Sequence, residues 1–111
     1  MIQISEEILQ KMTDVIVDMI QPEKIILFGS YARGTAKIGS DVDLLIIEKE
    51  SFGHNRSRRQ EMSRIWRKLA DFAVPKDILV YSQDEVEYWK DSENHLISRA
   101  LREGRPLYER L

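Results

Sequence analysis

The sequence predicts an α/β (α+β) fold, with a small mixed sheet of three to four strands flanked by helices. Apolar residues recur at helical spacing in some segments and form short continuous runs in others, and the two patterns alternate along the chain. The chain has 111 residues, of which 42% are hydrophobic, so it can bury one modest core. We therefore expect a single domain over residues 1–111.

The charge balance and the missing residue types exclude several functional classes. Lys and Arg number 17 against 19 Asp and Glu, and the net charge of −2 argues against a protein that coats nucleic acid through bulk charge. The absence of cysteine excludes a disulfide scaffold, thiol catalysis and cysteine-ligated metal sites. No apolar run exceeds four residues and the first residues do not resemble a signal peptide, so we expect a cytoplasmic protein without a membrane partner.

Caps, breakers and apolar runs define the elements in chain order. Ser5 can cap a first helix whose apolar residues share one face, and Pro22 ends it. Ser30 can cap a short helix that Gly34 ends. The remaining elements are strands at 24–28, 42–47 and 77–81, a helix with an apolar stripe from Met62 to Ala73, a helix behind the Ser82–Glu85 capping box, and a last helix over Ser92–Glu103, which Gly104 ends.

The helix with the Met62 stripe has two distinct sides. Trp66 falls on the apolar stripe, so we expect it in the core. Cations dominate the other side, namely Arg56, Arg58, Arg59, Arg64, Arg67 and Lys68. Because no aromatic residue is interleaved with them as a stacking platform, this pattern is more typical of a solvated face than of an RNA-binding surface, and we expect no nucleic-acid partner.

Two further segments keep alternative interpretations. Residues 51–55 form either a mobile flap near the functional site or, more simply, a connector between elements. Tyr88 and Trp89, on a short acidic helix, form either a partner-binding patch or a packing contact with the last helix.

Asp41 and Asp43 open the second strand and are the first candidate site feature. Side chains two residues apart in a strand point to the same face, so both carboxylates are expected on one side, with Val42 turned toward the core. Two such anions repel each other unless a cation lies between them, and oxygen ligands suit Mg²⁺ or Mn²⁺. Taken alone, the pattern fits a polar strand entrance without a ligand equally well.

The turn after the first strand is the second feature. Gly29 lets a phosphate approach the backbone, Ser30 offers a hydroxyl, and Arg33, one helical turn further, can reach a triphosphate. The turn is not a Walker A loop, because the Gly-x-x-x-x-Gly-Lys-Ser/Thr pattern is absent. An ordinary strand-to-helix turn would contain the same kinds of residue.

Asp77 gains significance only through its position at the start of the third strand. If this strand lies beside the second, Asp77 approaches Asp41 and Asp43, and three carboxylates can hold two cations. Asp77 is then a candidate base for the proton of an attacking hydroxyl. If the strands are not neighbours, Asp77 is a solvated strand end.

These residues carry a family resemblance that covers nearly the whole chain. The first stretch is Gly29-Ser30-Tyr31-Ala32-Arg33-Gly34. The second stretch is Asp41-Val42-Asp43-Leu44, which begins after the ten residues that follow Ser30. Together the two stretches resemble the signature of the nucleotidyltransferase superfamily, which has the fold of DNA polymerase β. The chain looks most like the minimal nucleotidyltransferases, stand-alone proteins of about this length. The tail from Ile97 to Glu109 is also similar to the way those chains end.

The resemblance implies a reaction class. Such enzymes transfer a nucleoside monophosphate from a nucleoside triphosphate to an acceptor hydroxyl and release pyrophosphate, and AMP from ATP is the expected case here. The resemblance matches Gly29 and Ser30 to the phosphate-binding turn. It matches Asp41, Asp43 and Asp77 to the catalytic carboxylates that bind two Mg²⁺ ions, with Mn²⁺ as a substitute.

The resemblance also implies a partner. Larger members of the superfamily carry an extra domain that presents the acceptor, so here the acceptor surface is expected from another subunit of a homo- or hetero-oligomer. Minimal nucleotidyltransferases are often paired with HEPN-domain toxins and act as their antitoxins, in some cases by adenylylating a tyrosine of the toxin. Three alternatives stay open: a non-catalytic antitoxin that acts by complex formation, an aminoglycoside-type enzyme with a small-molecule acceptor, and an RNA-directed transferase, for which the cationic helix is the one indication.

Overall fold

The computed structural model describes residues 4–111, which form five helices and four strands. In chain order these are α1 (Glu6–Ile20), β1 (Lys24–Phe28), α2 (Gly29–Arg33), β2 (Val42–Glu48), α3 (Arg58–Lys68), β3 (Lys76–Ser82), α4 (Gln83–Trp89), α5 (Leu96–Glu103) and β4 (Arg105–Glu109). The strands make one mixed sheet in the order β3-β2-β1-β4, in which β1 is antiparallel to β2 and β4, and β2 is parallel to β3. The predicted mixed sheet with flanking helices is confirmed.

The sheet has helices on both faces, and each face has its own hydrophobic core. On the α1/α3 face, Met12 and Ile65 belong to the same buried cluster as the strand residue Leu44. On the α4/α5 face, Ile97 belongs to a second buried cluster with the strand residue Leu45. Consecutive residues of a strand alternate between these two cores because of the pleat, so the position of a residue along β2 determines which helices it faces.

Two predicted helix starts are confirmed. The Ser5 hydroxyl accepts a hydrogen bond from the Ile8 amide at 3.2 Å, and α1 follows directly. Ser82 and Glu85 form the predicted capping box, in which the Ser82 amide donates to Glu85 Oε1 at 2.9 Å. Such bonds satisfy amides that a helix start leaves without partners.

The prediction that Ser30 caps the short helix is wrong. α2 begins one residue earlier, at Gly29, after Phe28 as the N-cap residue, and no side chain caps it. The φ of Gly29 is 74°, a left-handed value that turns the chain sharply as β1 ends. A capping hydroxyl is therefore not what starts this helix. Gly34 ends α2 as predicted, with a φ of 76°.

The later elements differ from the prediction at their ends. Phe72 lies beyond the end of α3, yet it packs against the core of the α1/α3 face. α5 begins at Leu96, four residues later than predicted, because the His95 side chain accepts the Ile97 amide at 3.0 Å and caps the helix there. Gly104 ends α5, and β4 follows in a segment to which the apolar pattern assigns no strand. Within residues 4–111, no helix has the length and apolar character needed to cross a bilayer.

The prediction that Trp66 lies in the core is also wrong. The Trp66 side chain is 50% exposed, whereas Glu61 and Ile65 are the buried residues of α3. Each residue of a helix is rotated by about 100° from the one before it, so Ile65 faces the sheet while Trp66 turns toward solvent. The apolar stripe of α3 is therefore narrower than the sequence pattern indicates.

The loop between β2 and α3 lies at the far end of β2 from Asp43, so its interpretation as a flap beside the site is wrong. It begins after Glu48, and the five-residue separation from Asp43 corresponds to about 16 Å along the strand. Arg56 of this loop bridges two buried carboxylates, Glu48 at 2.5 Å and Glu61 at 3.1 Å. Burial and the neighbouring Glu61 carboxyl raise the pKa of Glu48 to about 8, although Arg56 acts in the opposite direction.

Candidate active site

The residues predicted to form the site meet at one end of the sheet. In the register of the strands, Asp43 of β2 lies between Phe28, the last residue of β1, and Asp77 of β3. The predicted adjacency of the second and third strands is confirmed, and neighbouring strands are about 4.8 Å apart. The Gly29 turn follows Phe28 directly, so the turn and the two carboxylates share this end of the sheet.

Asp43 and Asp77 both belong to the α4/α5 face. Side chains two residues apart in a strand lie on the same face of the sheet, so Asp43 lies on the face of Leu45 and Asp77 on the face of Leu79. Both leucines pack in the core of the α4/α5 face. Val42 has the opposite alternation and is fully buried in the other core, as predicted. The two carboxylates therefore stand next to each other on the same side of the sheet.

Gly29 and Asp43 are packed so closely that a side chain at residue 29 would displace the Asp43 carboxylate. A Cβ on Gly29 would overlap Asp43 Oδ2 and would stand 3.1 Å from Asp43 Cγ. The left-handed φ of 74° at Gly29 also disfavours any residue with a Cβ. The Asp43 carboxylate thus occupies the space directly beside the backbone of the turn.

The ionisation of Asp43 reflects this crowding. Burial raises the pKa of the Asp43 carboxyl, the negative charges of Asp77 and then Asp41 raise it further, and the Arg33 guanidinium lowers it. Asp41 is exposed and precedes β2, so strand alternation does not fix the direction of its side chain. All three carboxylates and Arg33 are nevertheless close enough to interact through Asp43.

The donor set fits a divalent cation that a nucleotide helps to bind. Among residues 4–111, no three His, Cys, Asp or Glu side chains are placed so that they hold a metal ion by themselves. Mg²⁺ is commonly bound through one or two carboxylates, while waters and substrate phosphates supply the other oxygens. Because neighbouring anions raise the pKa of Asp43, a cation at this carboxylate relieves repulsion. Two ions held by three carboxylates stay a prediction.

Ser30 and Arg33 lie on α2, directly after Gly29. In the described part of the chain the Ser30 hydroxyl forms no hydrogen bond, while the Ser30 carbonyl accepts from the Thr35 amide at 3.0 Å. Arg33 Nη1 is 3.9 Å from Glu103 Oε1, and both side chains are about half exposed, so water weakens this ion pair. The hydroxyl and the guanidinium are both available to a phosphate group.

A cavity of about 140 Å³ adjoins the turn, between α2 and α5. Its lining includes Gly29 and Arg33 on one side, and Arg99 and Glu103 of α5 on the other. The sequence did not predict Arg99 as a site residue, because Arg99 comes close to the turn through the packing of α5 and belongs to no local motif. A second guanidinium beside the turn adds to the positive charge that a polyphosphate would meet.

Comparison with known proteins identifies the family and one relative. The nucleotidyltransferase domain family matches residues 7–108 of this chain. A Methanocaldococcus jannaschii protein, named as a candidate protein adenylyltransferase, is 33% identical over 79 residues, which span 71% of this chain and 73% of that protein.

Solved structures share the fold. A crystal structure of a nucleotidyltransferase candidate from Sulfolobus solfataricus matches with a TM-score of 0.66 at 18% identity, over 94% of this chain and 79% of the other. A chain from the complex of the tri-AMPylated Shewanella oneidensis HEPN toxin with the MNT antitoxin matches with a TM-score of 0.54 at 16% identity, over 92% and 71% of the two chains.

Proposed function

This chain belongs to the nucleotidyltransferase domain family, and we propose that it transfers AMP from ATP to a tyrosine hydroxyl of a HEPN-domain toxin and thereby acts as its antitoxin. The name of the Methanocaldococcus jannaschii relative and the AMPylated toxin in the Shewanella oneidensis complex support this choice of nucleotide and partner. The observation that carries the proposal is the Asp43 carboxylate, enclosed between the Gly29 turn and Asp77.

The turn binds the triphosphate. Gly29 leaves its backbone open to the phosphate, and Ser30 donates its unpaired hydroxyl. Arg33 exchanges its weak contact with Glu103 for a charge-assisted contact with phosphate oxygens. Burial and the charges of Asp77 and Asp41 raise the pKa of Asp43, and Arg33 acts against this rise, so the guanidinium favours the ionised form of the carboxyl.

The carboxylates bind the divalent cation. Asp41 and Asp43 would hold Mg²⁺, or Mn²⁺ in its place, together with the phosphates, and Asp77 adds a third carboxylate beside Asp43. When bound, such a cation offsets the charge on the phosphate oxygens and lowers the pKa of an attacking hydroxyl.

The chain's own residues then move a proton and stabilise charge. The acceptor oxygen attacks the α-phosphorus, and the bond between that phosphorus and the oxygen of the pyrophosphate group breaks. Asp77 accepts the proton of the acceptor hydroxyl, and Arg33 stabilises the charge on the departing pyrophosphate. The acceptor itself comes from the partner subunit, in a hetero-oligomer with this chain.

The test uses ATP labelled at the α-phosphate, Mg²⁺ and a purified HEPN-domain protein from the organism that encodes this chain. Label should appear on a tyrosine of the partner, and the Asp41→Asn/Asp43→Asn variant should lose the transfer. The matched control is Asp14→Asn/Asp18→Asn, which removes the same charge from exposed positions on α1 and should keep the activity.

Three outcomes would contradict the proposal. Transfer from ATP labelled at the γ-phosphate would indicate a kinase, and activity that survives Asp41→Asn/Asp43→Asn would remove these residues from catalysis. If that variant loses the transfer but still protects cells from the toxin, complex formation is the basis of neutralisation and the transfer is not.

A further inference from the structure

The outer side of α3 carries an exposed aromatic residue among cations. Trp66 is 50% exposed. Arg59, Ser63 and Arg67 follow one another at four-residue intervals, and Trp66 comes seven residues, or about two turns, after Arg59. All four residues therefore fall on the side of the helix that faces away from the sheet, within an arc of about 100°.

The cations of this surface are not neutralised by ion pairs within residues 4–111. In the described part of the chain Arg59 and Arg67 form no ion pair. Glu61, the one acidic residue of α3, is buried and is bound by Arg56 at 3.1 Å and Arg64 at 2.6 Å. The chain as a whole has a net charge of −2, so the positive charge here is a local feature that favours an anionic partner.

The indole of Trp66 is supported by the half-buried ammonium group of Lys76, which carbonyl groups hold in position. Lys76 Nζ lies 5.0 Å from the centroid of the Trp66 ring, and it donates hydrogen bonds to the carbonyls of Phe72 at 3.0 Å and Val74 at 3.2 Å. Lys76 is thereby fixed by the turn after α3, and it supports one side of the ring. The exposed part of the indole is a preformed platform, which costs little ordering entropy when a flat ring stacks on it.

We propose that this α3 surface binds single-stranded RNA. Arg59 and Arg67 contact phosphates, and a base stacks on the exposed indole of Trp66. The shallow groove of about 420 Å³ along the helix is lined by side chains that all donate hydrogen bonds, and Gln60 and Ser63 also offer the acceptors that a ribose 2′-hydroxyl requires. A partner that offered carboxylates alone, such as polyglutamate, would satisfy the arginines but would leave the exposed indole without a stacking partner.

The sequence predicted no nucleic-acid partner for the cationic residues of α3, and the structure contradicts the reason for that prediction. That expectation depended on Trp66 lying in the core, with no aromatic residue among the cations. Because Trp66 is exposed beside Arg59 and Arg67, the combination of a cationic row and a stacking ring is present. The surface is on the α1/α3 face, whereas Asp43 belongs to the α4/α5 face, so binding here is separable from AMP transfer.

The binding test uses fluorescein-labelled dodecamers of oligouridine, followed by fluorescence anisotropy at several salt concentrations. The dissociation constant should be on the order of 10⁻⁵ M. Trp66→Ala should weaken binding about tenfold, and Trp66→Phe should keep most of it. Arg59→Gln/Arg67→Gln should reduce the slope of log K against log salt by about 1.4, because each phosphate contact on a single strand contributes about 0.7.

The matched control is Lys11→Gln/Arg102→Gln, which removes two exposed cations from other helices and should leave the affinity and slope unchanged. Equal affinity of the Trp66→Ala variant and the wild type would overturn the proposal, as would equal binding of polyglutamate, which would indicate an acidic-protein surface. Equal affinity for the deoxyuridine oligomer would overturn the assignment to RNA. AMP transfer should be the same in all these variants, so the failure of one proposal does not decide the other.

Discussion

Replacing Gly29 by alanine tests whether activity depends on the place of the Asp43 carboxylate. A Cβ at residue 29 would overlap Asp43 Oδ2 and lie 3.1 Å from Asp43 Cγ, so the carboxylate has to move. The Gly34→Ala variant is the matched control. Gly34 has nearly the same φ, 76° against 74°, but a Cβ there would meet nothing within 4 Å.

The two substitutions separate backbone strain from displacement of the carboxylate. A residue with a Cβ in the left-handed region costs roughly 1–2 kcal/mol, so both variants should lose about that much free energy of unfolding. Asp43 Oδ2 is the end of a rotatable side chain, and an off-rotamer shift adds only about 1 kcal/mol for Gly29→Ala. A catalytic group misplaced by about 1 Å can cost about 100-fold in rate, so Gly29→Ala should lose far more activity than Gly34→Ala.

Two measurements decide the question. Urea unfolding followed by circular dichroism gives the free energy of unfolding, and initial rates of α-phosphate label transfer give the activity under conditions in which both variants are folded. If Gly29→Ala retains the same rate as Gly34→Ala, the position of the Asp43 carboxylate is not required and the reasoning is refuted. A comparable loss of activity in Gly34→Ala would mean that strain in α2 alone accounts for the effect.

Three further predictions concern stability. The pKa of Glu48 is raised from 4.5 to about 8, so the contribution of Glu48 to the free energy of unfolding is full below pH 4.5 and falls by up to about 1.4 kcal/mol per pH unit as pH rises toward 8. Glu48→Gln should remove this contribution to the pH slope in urea titrations, and an equal slope in the variant and the wild type would contradict the assignment. Gly104→Ala should lower the free energy of unfolding by roughly 1–3 kcal/mol, since the new Cβ would stand 2.9 Å from the Leu27 carbonyl oxygen. The control Gly53→Ala adds a Cβ in open space and should change the free energy of unfolding by less than about 0.5 kcal/mol. Equal melting temperatures of the two variants would count against this prediction. Ser82→Ala removes the capping hydroxyl of α4 and should cost about 1 kcal/mol, and an unchanged urea midpoint would show that the cap is not needed.

The proximity of Asp43 and Asp77 could be predicted because few arrangements of the strands fit the order of the elements. Two apolar runs joined by a helical segment pair in parallel, and parallel strands that enter the sheet from the same side bring their first residues together. The register of β2 and β3, with Asp43 opposite Asp77, follows this rule. The direction of the Asp41 side chain could not be predicted in this way, because Asp41 precedes β2 and side chains alternate between the two faces only within a strand.

The orientation of α3 could not be read from its apolar pattern. Periodicity places Trp66 on the stripe, but the structure buries Glu61 instead. A buried carboxylate is tolerated there because Arg56, from the preceding loop, lies 3.1 Å away and supplies the opposite charge. This contact depends on how the loop folds back, so hydrophobic spacing along the helix contains no sign of it.

β4 was missed because its second residue is Pro106, two residues after the Gly104 that ends α5. Proline has no amide to donate, so it usually signals the end of regular structure. Here Pro106 is accommodated because, among residues 4–111, β4 is an edge strand whose one hydrogen-bonded neighbour is β1.

The two outer strands of the sheet differ in how they protect their unpaired sides. β4 contains Pro106 and pairs with β1 through a register shift between Ile25 and Ile26, and both features discourage the docking of another strand. β3 pairs with β2 in unbroken register over its whole length, Lys76–Ser82, and contains no proline. No strand of the described residues pairs with the outer edge of β3, so the amide and carbonyl groups on that edge form a template for strand addition. Extension of the sheet, whether by a strand of a partner or by aggregation at high concentration, is therefore expected at β3, one strand away from Asp43.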